Sequence, residues 1–181
     1  MTASLEKIKH NIILDDYASF KELYLLMYAP LMRFAHIYTH CNALAEDVLG
    51  DVFLQLWSRR DHLSQVQNLR VYLYTAVKNT ALNYRNQRAK MQEELPEEED
   101  LFSTYPDPEK ALISAETSRL IQKAIQRLPP RCKLIFQLAK EEGLRYKDIS
   151  LILGISVKTI DNQLAIAIEK IAGAIRKPEK K

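Results

Sequence analysis

The chain has 181 residues, 47% of them hydrophobic, with a formal net charge of +3. That length suits one ordinary domain or two small ones, and no stretch approaches the ~18 consecutive apolar residues needed to span a membrane. Met1 to Lys9 is polar and mixed in charge, unlike a secretion signal, so a cytoplasmic protein with no direct membrane insertion is expected.

The charge is unevenly spread. Residues 1–90 carry 11 basic and 8 acidic side chains, residues 91–110 carry 1 and 8, and residues 111–181 carry 14 and 7. Two basic segments thus flank an acidic spacer. Glycine is scarce, and runs with period-two alternation are hard to find, so an all-α chain is expected.

In chain order, the first predicted helix runs from about Tyr17 to Tyr28, with Phe20, Leu23, Tyr24 and Met27 on one stripe. Pro30 sits where a first-turn proline is tolerated and opens a second helix carrying Leu31, Phe34, Ala35 and Tyr38. A third covers about Ala43 to Trp57, where Val48, Val52 and Leu56 recur at i+4 beside Leu49, Phe53 and Trp57. A fourth covers about Asn68 to Lys90, with Leu69, Leu73, Val77, Ala81 and Tyr84 on its buried side. Met91 to Pro108, with Glu93-Glu94, Glu97-Glu98-Glu99-Asp100 and three prolines, has no amphipathic stripe and reads as a flexible acidic linker.

After the linker, Leu120, Ile121, Ala124, Ile125 and Leu128 stripe a helix that Pro129-Pro130 ends, since neither proline donates the required backbone hydrogen bond. Leu134, Ile135 and Leu138 stripe the next helix, expected to stop at Gly143 in a left-handed cap. Tyr146 to Leu153, the turn Gly154-Ile155-Ser156, and Val157 to about Arg176 form a helix-turn-helix, with Ser156 capping the last helix. The inner stripe of that helix is expected to be Ile160, Leu164, Ile168, Ile171 and Ile175. The whole reads as two small helical domains joined by the linker, at 1–90, 91–110 and 111–181.

Three surfaces carry candidate function. Recognition helices work from their N-terminal part, which singles out Lys158, Thr159, Asn162 and Gln163 for base edges or phosphates, with Tyr146 and Lys147 on the preceding helix suited to backbone phosphates. On the fourth helix, Arg70, Lys78, Arg85, Arg88 and Lys90 form a cationic track with Tyr72 and Tyr74 near its start. Aromatic rings beside cations hold single-stranded nucleic acid, and Asn79 and Asn83, one turn apart, suit the edge of a base turned out of the stack. On the third helix, Asp47, Asp51 and Gln55 line the face opposite the core beside Leu54 and Trp57, either a solvated stripe or a docking surface for a basic partner.

The motifs Ala45-Glu46-Asp47-Val48 with Asp51, Phe53 and Trp57, Tyr72-Leu73-Tyr74 through Asn79-Thr80-Ala81-Leu82-Asn83, Leu128-Pro129-Pro130-Arg131, and Gly154-Ile155-Ser156-Val157-Lys158-Thr159-Ile160 follow one another in an order and spacing that resemble bacterial sigma factors. The two-domain size is similar to the extracytoplasmic-function group. The resemblance covers about residues 15–90 and 110–175. It implies a non-enzymatic initiation subunit that binds core RNA polymerase and directs it to promoter DNA. Asp47, Asp51, Gln55 and Trp57 would then dock on the polymerase's clamp helices. Tyr72, Tyr74, Lys78, Asn79, Asn83, Arg85 and Arg88 would recognise and melt the minus-ten element, and Tyr146, Lys147, Lys158, Thr159, Asn162 and Gln163 would read the minus-thirty-five element. The resemblance also implies an anti-sigma factor as a partner. Asp161, Ala165 and Ile166 depart from it, since many relatives carry basic or larger residues there.

No cofactor or metal is expected: Cys41 and Cys132 are isolated, and His10, His36, His40 and His62 lack metal-ligand spacing, although His36 and His40 stand at i, i+4. A conventional operator-binding regulator would carry much the same C-terminal helix-turn-helix, and remains the alternative on these residues alone.

Overall fold

The structure is a computed structural model and describes residues 2–91 and 115–176, which form helices and no strand. The chain divides into two compact units at Asp100 and Leu101. The linker, residues 91–110, lies outside the described residues except for Met91, which ends a helix.

The first unit holds α1 (Thr2–Ile13), α2 (Tyr17–Thr39), α3 (Asn42–Ser58), a 3₁₀ segment (Arg60–Gln65) and α4 (Leu69–Met91). The helix α1 was not expected from the sequence. Leu5, Ile8 and Ile12 give it a narrow apolar stripe, and all three are buried. Lys9 ties it to the rest of the unit, its Nζ donating to the Val66 carbonyl at 2.8 Å.

The break expected at Pro30 does not occur: α2 runs through it. An internal proline costs about 3 kcal/mol, because it removes a hydrogen bond to the carbonyl four residues back and crowds it. Here that carbonyl belongs to Leu26, a residue that is 40% exposed. Along the core-facing stripe Leu23, Met27, Leu31 and Ala35 follow at i+4 and are buried. Each large side chain buried there contributes about 1.5–3 kcal/mol, which outweighs the break. Asp16 caps the start of α2, accepting from the Ala18 N–H at 3.0 Å and the Ser19 hydroxyl at 2.6 Å, and these hydrogen bonds hold its carboxyl below the usual range.

The core of this unit joins the α2 stripe to Val48, Val52 and Leu56 from α3 and Leu69, Leu73, Val77 and Ala81 from α4. The burial stripes of α3 and α4 follow the i+4 periodicity of the sequence. Asn68 starts α4 by accepting from the Val71 N–H at 3.2 Å.

The second unit holds α5 (Ala115–Gln126), α6 (Pro130–Phe136), a π-helical turn (Gln137–Glu141), α7 (Tyr146–Leu153) and α8 (Val157–Arg176). Pro130 occupies the first position of α6, where its missing N–H costs nothing. Gly143 has φ +62°, as its capping role requires. Gly154, at φ +67°, ends α7, and its N–H returns to the Ser150 carbonyl. The chain bends by 107° between α7 and α8, within the usual range for a helix-turn-helix. Ser156 caps α8, its hydroxyl accepting from the Thr159 N–H at 3.0 Å.

The inner face of α8 differs from the expected stripe. Ile160, Leu164 and Ala167 are buried, whereas Ile168 is 50% exposed and Ile175 38% exposed. Packing against α5 and α6 selects the small Ala167, which clusters with Cys132 of α6 and with Leu128 just before it, with Phe136 and Ile171 at the edge of that cluster. No single described helix is long and apolar enough to cross a membrane.

Candidate polymerase and promoter interface

The exposed face of α3 presents Asp47, Asp51, Leu54, Gln55 and Ser58, all on the side away from the core. Leu54 is 70% exposed. Trp57, at the end of this face, is half-buried and firmly placed. Its ring packs on Phe20 with centroids 4.9 Å apart and edge-on to Tyr17 at 5.7 Å. The Arg60 guanidinium lies 4.9 Å from the indole centroid, and Arg60 pairs in turn with Asp15 at 2.8 Å. Of the four residues proposed for polymerase docking, three are exposed and the fourth is held by an aromatic cluster and a cation.

Beside it, α4 presents a polar face. Tyr72, Asn79, Asn83 and Asn86 fall at i, i+7, i+11 and i+14 and share one side of the helix; the three asparagines are exposed and Tyr72 is half-buried. Lys78 and Arg85, seven residues apart, follow the flank nearer α2, with Arg88 one turn after Arg85. Burial pushes the Tyr38 hydroxyl of α2 up to about 12, with the Arg85 charge acting in the opposite direction, which places that arginine's charge near the end of α2.

Two sequence expectations about the α4 tyrosines change. Tyr74 does not reach an exposed surface: it is fully buried, with its ring 5.0 Å from that of Phe34. Tyr72 and Tyr74 stand at i and i+2, and on a helix that spacing turns them to different faces, so Tyr72 alone stands on the asparagine side. Tyr84, expected on the buried stripe, is half-exposed, and its hydroxyl donates to the Asp51 carboxylate at 2.5 Å. That hydrogen bond, then burial and the charges of Asp51 and Asp47, raises the Tyr84 hydroxyl above its ordinary range. The two helices meet at a groove of about 660 Å³, lined by Asp51, Leu54, Gln55 and Trp57 from α3 and by Asn83 and Tyr84 from α4. Residue spacing on either helix alone shows neither the groove nor the Tyr84–Asp51 bond.

In the helix-turn-helix, Lys147, Lys158 and Asn162 are exposed and Tyr146 is half-buried. Thr159 is half-buried, and its hydroxyl lies 2.8 Å from that of Ser156 as part of the cap. Gln163 is turned toward α6, where the Cys132 thiol donates to its Oε1 at 2.8 Å. Ser150 fixes the turn from below by donating to the Ile155 carbonyl at 2.6 Å.

Two family models match the chain, sigma-70 region 2 over residues 23–91 and sigma-70 region 4 over residues 118–171. The chain belongs to the RNA polymerase sigma factors, in the extracytoplasmic-function group. As an alternative sigma factor it binds core RNA polymerase and directs it to specific promoters. The region 2 match covers residues 23–91 of the front unit and removes the operator-binding regulator as an alternative. Among similar proteins, the RNA polymerase sigma factor YlaC of Bacillus subtilis is 28% identical over 152 residues, covering 81% of this chain and 86% of that one. The ECF RNA polymerase sigma-E factor of Haemophilus influenzae is 26% identical, covering 72% of this chain and 74% of that one. Two solved structures share the fold. One is the sigma factor RpoE in complex with the anti-sigma factor NepR from Bartonella quintana, at TM-score 0.58 and 21% identity, covering 88% of this chain and 98% of that one. The other is CnrH in complex with the cytosolic domain of CnrY, at TM-score 0.58 and 17% identity, covering 95% and 97%.

Proposed function

We propose that this sigma factor divides its work among three faces. In the domain of residues 1–90, Asp47, Asp51, Gln55 and Trp57 on α3 dock on core RNA polymerase, with Leu54 supplying apolar area between the charges. On α4, Tyr72, Asn79 and Asn83 engage the minus-ten element as it opens, while Lys78, Arg85 and Arg88 neutralise phosphates. In the domain of residues 111–181, Lys158, Thr159, Asn162 and Gln163 enter the major groove at the minus-thirty-five element, with Tyr146 and Lys147 on the backbone. The acidic segment 91–110 connects the two. The protein supplies promoter specificity, and the polymerase carries out the phosphoryl transfer. Its work lies with the polymerase in the cytoplasm.

The observation that carries this reading is the adjacency of the α3 and α4 faces. An acidic stripe with an exposed leucine lies beside a line of exposed asparagines headed by a tyrosine, with cations on the far flank. Opposite charge on neighbouring helices of one unit lets a basic protein surface and an anionic strand bind side by side. An anti-sigma factor is the expected regulator, supported by the fold shared with two proteins whose structures were solved with such partners. The test of the α4 role is transcription from duplex and pre-melted promoters. Asn79→Ala and Asn83→Ala are expected to lose activity on the duplex and recover it on a template already unpaired at the minus-ten element. An equal loss on both templates would refute the melting role.

A further inference from the structure

The thiol of Cys132 connects the core of the C-terminal unit to a side chain of the recognition helix. Cys132 is 3% exposed and packs with Leu128 and Ala167, while Gln163 is half-exposed at the edge of that cluster. Their contact, Cys132 Sγ donating to Gln163 Oε1, measures 2.8 Å. A glutamine amide has two chemically different ends, an oxygen that only accepts and an NH2 that only donates. The reversed orientation would set the NH2 against sulfur, a weak acceptor, and would leave the S–H facing no oxygen. The oxygen-inward orientation therefore prevails. In a planar amide, an oxygen turned toward α6 turns the NH2 away from it.

We infer that Cys132 is a positioning residue that sets base preference: by holding Oε1 of Gln163, it makes the recognition helix a hydrogen-bond donor only at this position. A free glutamine pairs with adenine through both ends, accepting from N6 and donating to N7. A glutamine whose oxygen is turned inward to the Cys132 thiol presents only its NH2 to the groove and cannot complete that pair. It matches edges that offer acceptors, N7 and O6 of guanine or O4 of thymine. This inference rests on the reading that α8 enters the major groove at the minus-thirty-five element.

The test is a promoter library randomised across the minus-thirty-five element, transcribed by holoenzyme containing wild type, Cys132→Ala, Cys132→Ser or Gln163→Ala, with the products sequenced. Wild type is expected to disfavour adenine at one position. Cys132→Ala frees the amide to turn and raises adenine there about tenfold. Cys132→Ser keeps a donor and keeps the wild-type profile, and Gln163→Ala flattens discrimination at that position. If Gln163→Ala changes the profile but Cys132→Ala does not, the inference is overturned while the reading of α8 stands. A uniform drop in output for Cys132→Ala, with the base profile unchanged, assigns Cys132 to packing alone and also overturns it. If Gln163→Ala leaves the profile as in wild type, Gln163 reads no base, and its place in the promoter contact falls together with the inference.

Discussion

The helix-turn-helix depends on the backbone at Gly154, and the cost of changing that residue follows from its surroundings. Gly154 has φ +67°, and a Cβ built on it meets nothing within 4 Å. Alanine there suffers no collision with neighbours, so its penalty is the left-handed conformation itself, about 1–2 kcal/mol for a residue with a Cβ. For a domain of this size, each kcal/mol corresponds to roughly 4–8 °C in melting temperature. Asparagine, whose short polar side chain tolerates this region, is expected to cost less than alanine. The assay is thermal unfolding of the full chain, following total helicity by circular dichroism and the front unit separately by fluorescence of Trp57, the only tryptophan. Gly154→Ala is expected to lower the helical transition and leave the Trp57 transition in place, with Gly154→Asn in between. If asparagine is as damaging as alanine, or more so, the penalty is not conformational and the reasoning fails. An unchanged melting temperature for alanine would refute it equally.

Three further outcomes follow from the front unit. Tyr74→Ala removes a fully buried ring and is expected to cost about 3–5 kcal/mol, read as loss of cooperative unfolding, whereas Tyr72→Ala keeps the melting temperature and loses promoter opening. Tyr38 has its hydroxyl raised to about 12 by burial, so its neutral form is favoured by folding. The stability it contributes is complete below pH 10 and is lost as pH rises toward 12, and ultraviolet titration of native protein should show one fewer late-ionising tyrosine in a Tyr38→Phe variant than in wild type. Gly50 sits mid-helix in α3 with nothing within 4 Å of a built Cβ. Gly50→Ala is therefore expected to stabilise by about 0.5–1 kcal/mol, measured as a higher denaturant midpoint of Trp57 fluorescence.

The helices of the C-terminal unit were legible because each boundary has a local cause: two prolines, a left-handed glycine at each of two stops, and a serine cap. The inner face of α8 was less so. Five isoleucine and leucine positions compete for one stripe, and only the approach of α6 selects Ala167 over Ile168. In the front unit, Pro30 is a strong local signal for a break, but tertiary burial on both sides of it outweighs that signal. The stripe of α1 has only three apolar members, too few to stand out from its polar surroundings. Among the site residues, exposed Asp47, Asp51, Asn79 and Asn83 follow from helical spacing, since they are what the core does not claim. The fates of Tyr74, Tyr84 and Gln163 depend on partners from other helices, Phe34, Asp51 and Cys132, which periodicity along one helix does not specify.

The most direct measurement is a titration of the purified protein onto core RNA polymerase without DNA, comparing wild type with the Asp47→Asn, Asp51→Asn double variant at low and moderate salt. Docking through the acidic face of α3 predicts stoichiometric binding by wild type. It predicts at least tenfold weaker binding by the variant, a change of about 1.4 kcal/mol or more, with the difference shrinking as salt rises. A folded variant that binds as tightly as wild type at both salt concentrations would contradict the account and move the docking surface off α3.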